Sequence, residues 1–545
     1  MSSPSRSSSP PSAAAAAAVG LAVFICAWAV LHHGWFARGQ IIDTPVYESY
    51  GWAVARGEVP YRDFSIEYPP GALPAFVVPA LGTSGDDAAF RQRFETLMFM
   101  CGAAVVLAAA FALVALRAPP RRAYASVALV GLAPLLLGSV VLTRFDYWPA
   151  ALAAGALALV VSGRLRTGHA LLGVAVAAKV WPGVLVPLFV AYVWRSRGRR
   201  EALVCAVLLV AAAAVVVVPF LALSPGGVWD SVVRQSTRPL QVESLGAALL
   251  IVSHHLFGTG AHMVSSHGSQ NLGGSGANAV GAVQTIVQVG AVAGIWTWFA
   301  RAHRDRAELV RASAAVTVAF VALGKVVSPQ FLIWLIPFVP LVRGRRGLRA
   351  AVPFAAALVL TQSWFPQHYW SYALDFSTPV SFLVLARDAV LLVLLGVLVA
   401  PQRRTWDDRP VAREKPYGAT VVVCRGDAVL LLHRAHEGPG YEGDWAWTPP
   451  SGARLPGESV EECARRELRE EAGLDLELRP VASRHDDWTL WIADAPDDAE
   501  IRLDDEHDAY RWLAIEEAAA LCKPERVAEG LLDAYADGLD RARTA

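Results

Sequence analysis

The feature that most limits the fold of this chain is a series of apolar stretches, each about 20 residues long, within its first 400 residues. A helix rises about 1.5 Å per residue, so a stretch of that length crosses the roughly 30 Å hydrocarbon core of a bilayer. Residues 13–401 are therefore predicted to form a multi-span α-helical membrane domain with about ten to twelve crossings. The clearest stretches are 13–31, 94–116 and 202–223.

Arginine-rich groups separate these stretches and predict their orientation. The positive-inside rule places such groups in the cytoplasm, together with both termini. The intervals 167–194 and 312–342 are too short for two full crossings each, so we predict broken helices near 179–182 and 325–330. The arginine groups lie at residues 117–122, 163–166, 195–200, 301–311, 343–349 and 403–413.

Composition changes at both ends of the chain. Residues 1–12 are rich in serine and proline and are predicted to be disordered. The apolar stretch that follows has no credible cleavage site and precedes further spans, so we predict an anchor rather than a signal peptide. Charged residues crowd into the last 140 positions, which predicts a soluble cytoplasmic domain at 416–545 after a linker at 402–415. The six scattered cysteines do not indicate a disulfide framework.

The segment from Gly452 to Leu474 carries the strongest chemical signal. Ser459 followed by Glu462 is a capping box that predicts a helix start, and Gly473 suits the left-handed residue after a helix end. Between them, Glu467, Glu470 and Glu471 fall on one helical face. Like charges this close repel each other, and a hard cation such as Mg²⁺ relieves the repulsion because it prefers carboxylate oxygens.

The same segment reads Gly, five residues, Glu, seven residues, Arg-Glu-Leu, one residue, Glu-Glu, one residue, Gly-Leu. It resembles the signature of the Nudix (MutT-type) hydrolases, which cleave nucleoside diphosphates linked to another group. The resemblance implies an α/β/α sandwich in which Glu467, Glu470, Glu471 and the backbone of Gly452 hold Mg²⁺ or Mn²⁺. Arg466 is expected to orient the carboxylates through a bidentate contact. Glu458 and Gly473 are further fixed positions of the signature.

Several features of this domain stay open from the sequence. The general base is either a signature carboxylate such as Glu470 or Glu506 in the stretch EHDAYRWL. Trp445 and Trp447 either stack on a nucleobase or belong to the core, and the substrate beyond a nucleoside diphosphate derivative is not written in the sequence. A folded but catalytically idle domain is the alternative. The flanks predict a strand hairpin at 415–436, a strand at 488–495 and a strand leading into a helix at 510–522.

The loop after the first apolar stretch carries Asp43, then PYRDF and EYPPG, on the predicted outer face. Together with TRFDYWPA (143–150), AAKVWPGVLVP (177–187) and KVVSPQFLIWLIP (325–337), it resembles polyprenyl-phosphate-dependent glycosyltransferases of the C fold, especially glycosyltransferase family 87 and related mannosyltransferases. The resemblance implies a polyprenyl-phosphate sugar donor, a glycan or lipid acceptor and Asp43 as general base. A plain surface role for Asp43 and a competing base at Glu67 remain alternatives.

Charged side chains at membrane depth cost about 3 kcal/mol each on insertion scales, so they indicate either function or a partner. The candidates to stabilise the charge of the departing lipid phosphate are Lys179, Lys325 and Arg144. Ion pairs with residues of other helices explain Arg144 and Asp146 equally well. The region 224–279 has scattered histidines among glycine and serine and is expected to be a flexible outer loop. No nucleic-acid partner is predicted. A transporter or an inert anchor for the hydrolase is the alternative function of the membrane part.

Overall fold

The structure is a computed structural model that describes residues 13–83, 85–274, 276–301, 305–400, 415–435, 441–455, 457–482, 486–504 and 506–544. The chain divides into two compact units, Met1–Ala400 and Pro401–Ala545. The predicted disordered tail 1–12 and residues 402–414 of the predicted linker lie outside the described residues.

Among its described residues, the first unit is helical apart from one hairpin. Short 3₁₀ segments connect several of its helices, at Gly34–Ala37, Pro70–Ala72, Trp181–Leu185, Pro329–Leu335 and Val339–Leu341. Its α-helices are α1 (Ala13–Val30), α2 (Thr44–Ala55), α3 (Leu73–Ala80), α4 (Asp87–Ala115), α5 (Pro120–Leu137), α6 (Val140–Thr143), α7 (Tyr147–Val161), α8 (Leu165–Ala178), α9 (Val186–Arg197), α10 (Arg199–Leu223), α11 (Pro225–Ser236), α12 (Leu245–Phe257), α13 (Ala277–Ala300), α14 (Arg306–Ala322), α15 (Gly344–Trp364), α16 (Tyr369–Ala373) and α17 (Thr378–Val399).

Within the described residues, five helices are long and apolar enough to cross a membrane, and they confirm the predicted helical membrane class. Five shorter apolar segments accompany them, among them α7, α8 and α12. Two candidate spans, α10 and α13, have most of their surface outside the protein core, as lipid-facing helices require. The number of crossings and their orientation stay predictions. The five helices are α1, α4, α10, α13 and α17.

Both predicted helix breaks are present. Helix α8 ends at Ala178, Lys179 is extended (φ −158°, ψ 143°), and a 3₁₀ turn leads into α9. Helix α14 ends at Ala322, and Ser328 is extended (φ −127°, ψ 152°) before the 3₁₀ segment at Pro329–Leu335. Ser328 precedes a proline, whose ring disfavours the helical conformation in the residue before it.

The expectation of a flexible loop at 224–279 is wrong. The region forms α11, α12 and an antiparallel hairpin of β1 (Ala261–Ser266) and β2 (Ser269–Gly274). His267 and Gly268 both have positive φ, which is the two-residue turn that fits the twist of a hairpin. Asn271 is buried and donates to the Ser266 carbonyl across the turn. Glycine and serine therefore serve a tight turn here rather than flexibility.

The second unit is built around a seven-stranded sheet. Five strands follow the order β5-β4-β3-β8-β7, while β6 pairs with β3 and β9 pairs with β4. The predicted hairpin (β3 with β4), the strand β8 and the strand-to-helix step from β9 into α19 are all confirmed. The elements are β3 (Gly418–Arg425), β4 (Ala428–Arg434), β5 (Trp447–Thr448), β6 (Ser451–Ala453), α18 (Val460–Ala472), β7 (Arg479–Val481), β8 (Trp488–Asp494), β9 (His507–Ala514), α19 (Ile515–Leu521) and α20 (Glu525–Thr544).

Helices cover both faces of this sheet. Successive side chains of a strand point to opposite faces. Val421 and Val423 of β3 accordingly share a buried cluster with Leu468 of α18, whereas Val422 belongs to a second cluster with Ala518 of α19. The two clusters contain only residues of the second unit. The predicted α/β/α sandwich is therefore confirmed, and it has a core of its own.

Candidate functional site

Both predicted ends of α18 are present. The Ser459 hydroxyl accepts from the Glu462 N–H (3.2 Å), and the Glu462 carboxylate accepts from the Ser459 N–H (2.8 Å). Gly473 ends the helix in the left-handed region (φ 71°), which a side chain rarely adopts. These caps fix where the signature helix begins and ends, and hence which side chains face β6.

We expect Ser459→Ala to lower the free energy of unfolding of the second unit by about 1 kcal/mol, because the Glu462 N–H loses its acceptor. Urea denaturation of the fragment 414–545 measures this. Ser459→Thr keeps the hydroxyl and serves as the control. Equal losses for the alanine and threonine variants would contradict the capping role.

The acidic face of α18 packs against the β6 turn. Glu467 and Glu471 are buried there, and Glu470 is the more exposed of the three carboxylates. Glu471 accepts from the Ser451 N–H at 2.9 Å. A Cβ built on Gly452 would overlap the Glu467 carboxylate, so this position accepts only glycine without a rearrangement. The backbone of the turn thus lies directly against the signature carboxylates.

Arg466 connects several groups of the signature. It makes a bidentate contact with Glu458, at 2.8 Å through Nε and 3.1 Å through Nη2, rather than with one of the three predicted metal ligands. The same guanidinium donates to Glu467 Oε1 (2.5 Å), Glu470 Oε2 (3.4 Å) and the Ala453 carbonyl (3.0 Å). Glu458 also accepts from the Leu455 N–H (2.7 Å), so the loop before α18 is tied to the same network.

Burial shifts the ionisation of these carboxylates. It raises the pKa of Glu467 to about 7, although Arg466 acts in the opposite direction. Burial also raises the pKa of Glu471 well above its usual range, with a further contribution from Glu467 and opposition from the Ser451 N–H. For Glu458 the hydrogen bonds from Arg466 and Leu455 outweigh burial and lower the pKa. Burial therefore disfavours the charged forms of both Glu467 and Glu471 in this arrangement.

The three predicted metal ligands lie together on α18 without meeting at one point. Glu467 and Glu470 both contact Arg466, whereas Glu471 contacts Ser451. Among the described residues, no three His, Cys, Asp or Glu side chains are gathered tightly enough to hold an ion in this arrangement. Binding a metal would require these carboxylates to turn toward a common point.

The other predicted site residues of this unit are Trp445, Trp447 and Glu506, and one of them belongs to the core. Trp447 is buried in the cluster under α19, which supports the core interpretation. Trp445 is half-buried, has φ 66°, and lies under the Arg526 guanidinium at 4.7 Å. Glu506 lies just before β9, and its N–H donates to Asp504 Oδ1 (3.1 Å). Asp504 in turn acts electrostatically on Glu471.

Sequence reasoning missed Asp504 and Arg434, which both influence the charge of Glu471. Arg434 ends β4 directly opposite His507 of β9. The pairing of these strands brings residues from distant parts of the chain to the signature helix. The acidic residues before EHDAYRWL could have indicated a role near the site. The sequence alone does not show that Asp504 is the one that acts on Glu471.

In the first unit, the structure brings Asp43 together with Arg144. Their side chains form an ion pair, and the Tyr47 hydroxyl lies 3.5 Å from the Asp43 carboxylate. Asp43 is the residue before α2 and is partly exposed, while Arg144 is buried. The alternative explanation was that Arg144 and Asp146 pair with other residues, and each does so here, since Asp146 binds Lys179 (2.6 Å).

The Lys179 ammonium is surrounded by one carboxylate and four aromatic rings. Asp146 accepts from Lys179 and also from Trp334 Nε1, each at 2.6 Å. The Lys179 ammonium lies between 4.5 and 5.9 Å from the ring centroids of Tyr68, Phe145, Phe331 and Trp334. Lys325, in contrast, is half-buried and contacts Gln241 through its backbone carbonyl. The three predicted cations therefore have different partners: Arg144 pairs with Asp43, Lys179 with Asp146, and Lys325 contacts Gln241 through its backbone.

A buried charged group at α17 was missed. Arg387 and Asp388 form a buried ion pair (2.8 Å), and Arg387 donates to the Glu243 carbonyl (2.6 Å). Glu243 is buried as well. The sequence signal was the Arg-Asp dipeptide within an otherwise apolar helix, which is costly in lipid unless paired.

Three family models match the chain. They are the NUDIX domain over residues 414–536, Glycosyltransferase family 87 over residues 66–329, and Mannosyltransferase (PIG-M) over residues 274–402. The last two follow one another along the helical unit and overlap at 274–329. The NUDIX match falls within the second unit, which contains the sheet.

Relatives of known name match the second unit. The asymmetrical bis(5'-nucleosyl)-tetraphosphatase of Rattus norvegicus is 38% identical over 102 residues, which cover 16% of this chain and 69% of that protein. Its counterpart in Sus scrofa is 42% identical over 90 residues, covering 14% of this chain and 61% of that protein. A C. elegans Ap4A hydrolase in a binary complex is 24% identical over 23% of this chain and 96% of that chain, with a TM-score of 0.19.

In the second unit, the family match, the capped signature helix and the sheet covered on both faces agree on one assignment. The chain belongs, through its C-terminal domain, to the Nudix family, and this hydrolase domain follows a helical region with glycosyltransferase family 87 and PIG-M mannosyltransferase domains.

Proposed function

We propose that the second unit hydrolyses a nucleoside diphosphate-linked compound with Mg²⁺, or with Mn²⁺ in its place. The observation that carries the proposal is the buried pair Glu467 and Glu471 against the Gly452 turn, with Glu470 beside it. These carboxylates and the Gly452 backbone would hold the ion, and their oxygens are the donors that Mg²⁺ prefers. Nudix hydrolases generally use divalent metals. When bound, such an ion lowers the pKa of water and offsets charge on phosphate oxygens.

The protein residues have separable roles in this proposal. Arg466 positions Glu458, Glu467 and Glu470 through the contacts it makes with each. Glu470 is the most exposed carboxylate of the three and is therefore the best placed to take a proton from an attacking water. Glu506 is the second candidate base, since it neighbours Asp504 close to the same helix face.

The substrate class can be narrowed by the relatives. The two tetraphosphatases are named for asymmetrical cleavage of bis(5'-nucleosyl) tetraphosphates, and this chain spans 61% to 69% of their length. We propose that dinucleoside polyphosphates are the first compounds to test, ahead of nucleotide sugars and nucleoside triphosphates. Trp445, half-buried with one face under Arg526, is the candidate surface for a nucleobase.

We expect Gly452→Ala to weaken divalent metal binding on the order of 10- to 100-fold, because the added methyl group displaces the Glu467 carboxylate. Titration of Mn²⁺ into the fragment 414–545 measures this. Gly530→Ala is the matched control, since a Cβ there meets Leu490 at an ordinary 3.4 Å. Unchanged affinity in Gly452→Ala would contradict the placement of the ion beside this turn.

We also propose that the first unit is a membrane glycosyltransferase that takes a sugar from a polyprenyl phosphate on the outer face, with both termini and the Nudix unit in the cytoplasm. Asp43 accepts the proton of the acceptor hydroxyl as that oxygen bonds to the sugar and the lipid phosphate leaves with its bonding electrons. The ion pair with Arg144 supports this assignment because it fixes the position of the Asp43 carboxylate. The transporter or inert-anchor alternative is distinguished by the Asp43 variant described below.

A further inference from the structure

Helix α11 has three chemically distinct faces. A helical residue advances about 100° around the axis, so Val228, Ser231 and Gln235 fall on one side. Val228 and Ser231 are buried against the protein. Trp229 and Val232 project from a second side and are 66% and 47% exposed. Asp230 and Arg234 occupy the third side.

The exposed apolar face of α11 continues a lipid-facing surface. Helix α10 is a candidate span that is mostly not covered by protein, and its exposed apolar residues extend to its last residue, Leu223. Only Ser224 separates Leu223 from the start of α11. Helix α10 begins at Arg199 and Arg200, which the positive-inside rule places in the cytoplasm, so α11 lies at the outer end of the span.

We propose that α11 lies in the outer membrane–water interface, with Trp229 and Val232 inserted among the lipid chains. The occupant of this face is the bilayer itself. Protein, lipid and water then each meet one side of the helix, as expected for an amphipathic interfacial helix, and tryptophan is enriched at that depth.

The protein-facing side of α11 holds the outer loop that contains PYRDF. Ser224 Oγ donates to the Tyr61 carbonyl (2.9 Å), and Gln235 Nε2 donates to the Glu67 carbonyl (3.0 Å). A Cβ on Gly227 would overlap the Tyr61 carbonyl, so glycine permits this close approach. Tyr61 itself has φ 67°, a strained conformation for a tyrosine that its surroundings must maintain. The position of the loop therefore depends on where the membrane holds α11.

The test uses the full chain in liposomes and spin labels at 229, 230, 232 or 234, one site at a time. Cys26→Ser serves as the background, because the other five cysteines are buried. We expect labels at 229 and 232 to be several-fold more accessible to oxygen, relative to a water-soluble nickel chelate, than labels at 230 and 234.

Two results would overturn the proposal. Equal exposure of all four labels to the nickel chelate would place α11 in water. Protection of 229 and 232 from both reagents, with dipolar coupling between labels, would show that a second copy of the chain covers this face. In the same liposomes, Gly227→Ala should accelerate hydrogen exchange several-fold at residues 59–67, because the added methyl group displaces the Tyr61 backbone. Unchanged exchange would show that the loop does not depend on α11.

Discussion

Glu470→Gln in the purified full-length protein is expected to lower hydrolysis of its nucleoside diphosphate substrate by about 10²- to 10⁴-fold. The substitution keeps the shape of the side chain but removes a proton acceptor and a negative charge that would help to hold the proposed metal. The fold should survive, because Glu470 is the least buried of the three carboxylates and its contact with Arg466 is long, at 3.4 Å. A coupled phosphate-release assay over dinucleoside polyphosphates, nucleotide sugars and nucleoside triphosphates measures the change.

Glu461→Gln is the matched control for this prediction. Glu461 lies on the same helix, is exposed, and pairs with Arg465 on a different side from the signature carboxylates. We expect its activity to equal that of the parent. If Glu470→Gln matches the parent across a panel that the parent hydrolyses, Glu470 is not catalytic. If the parent turns over nothing in the panel, the catalytically idle alternative gains support.

Asp43→Asn is expected to reduce sugar transfer from a polyprenyl-phosphate donor by about 10²- to 10⁴-fold while leaving nucleotide hydrolysis unchanged. Asparagine preserves the size of the side chain and can still contact Arg144, but it cannot accept the proton of the acceptor hydroxyl. Proteoliposomes with a radiolabelled polyprenyl-phosphate mannose and a glycan or lipid acceptor provide the measurement.

Asp63→Asn is the control, because Asp63 lies in the loop on the other side of α2 from Asp43 and pairs with its neighbour Arg62 (2.8 Å). Transfer that is equal in the parent and in Asp43→Asn would remove Asp43 from the mechanism and leave Glu67 as the alternative base. Flux of solute across the bilayer without any sugar transfer would favour the transporter.

The sequence was most informative where the determining interactions are local. Ser459, Glu462 and Gly473 act within a few residues of one another, and both helix ends lie where the capping rules place them. A bidentate contact of Arg466 with the metal-ligand carboxylates was predicted. Its contact with Glu470 is local, four residues along the same helix, whereas its bidentate contact with Glu458 depends on the path of the loop before α18.

Long-range pairings could not be predicted from one sequence. Nothing local in the chain assigns Asp43 to Arg144 or Asp146 to Lys179, since each pair joins segments that meet only through helix packing. The same holds for Arg387 and Glu243. The hairpin at 261–274 was missed for another reason, because glycine and serine are common to loops and to tight turns.

The most direct test of the central claim is a titration of the fragment 414–545 with Mn²⁺, in which electron paramagnetic resonance counts the free ion. The account predicts saturable uptake that Mg²⁺ displaces and that the double variant Glu467→Gln, Glu471→Gln abolishes while circular dichroism stays unchanged. A fragment that is fully folded and takes up no Mn²⁺ in the presence or absence of a dinucleoside polyphosphate would contradict it.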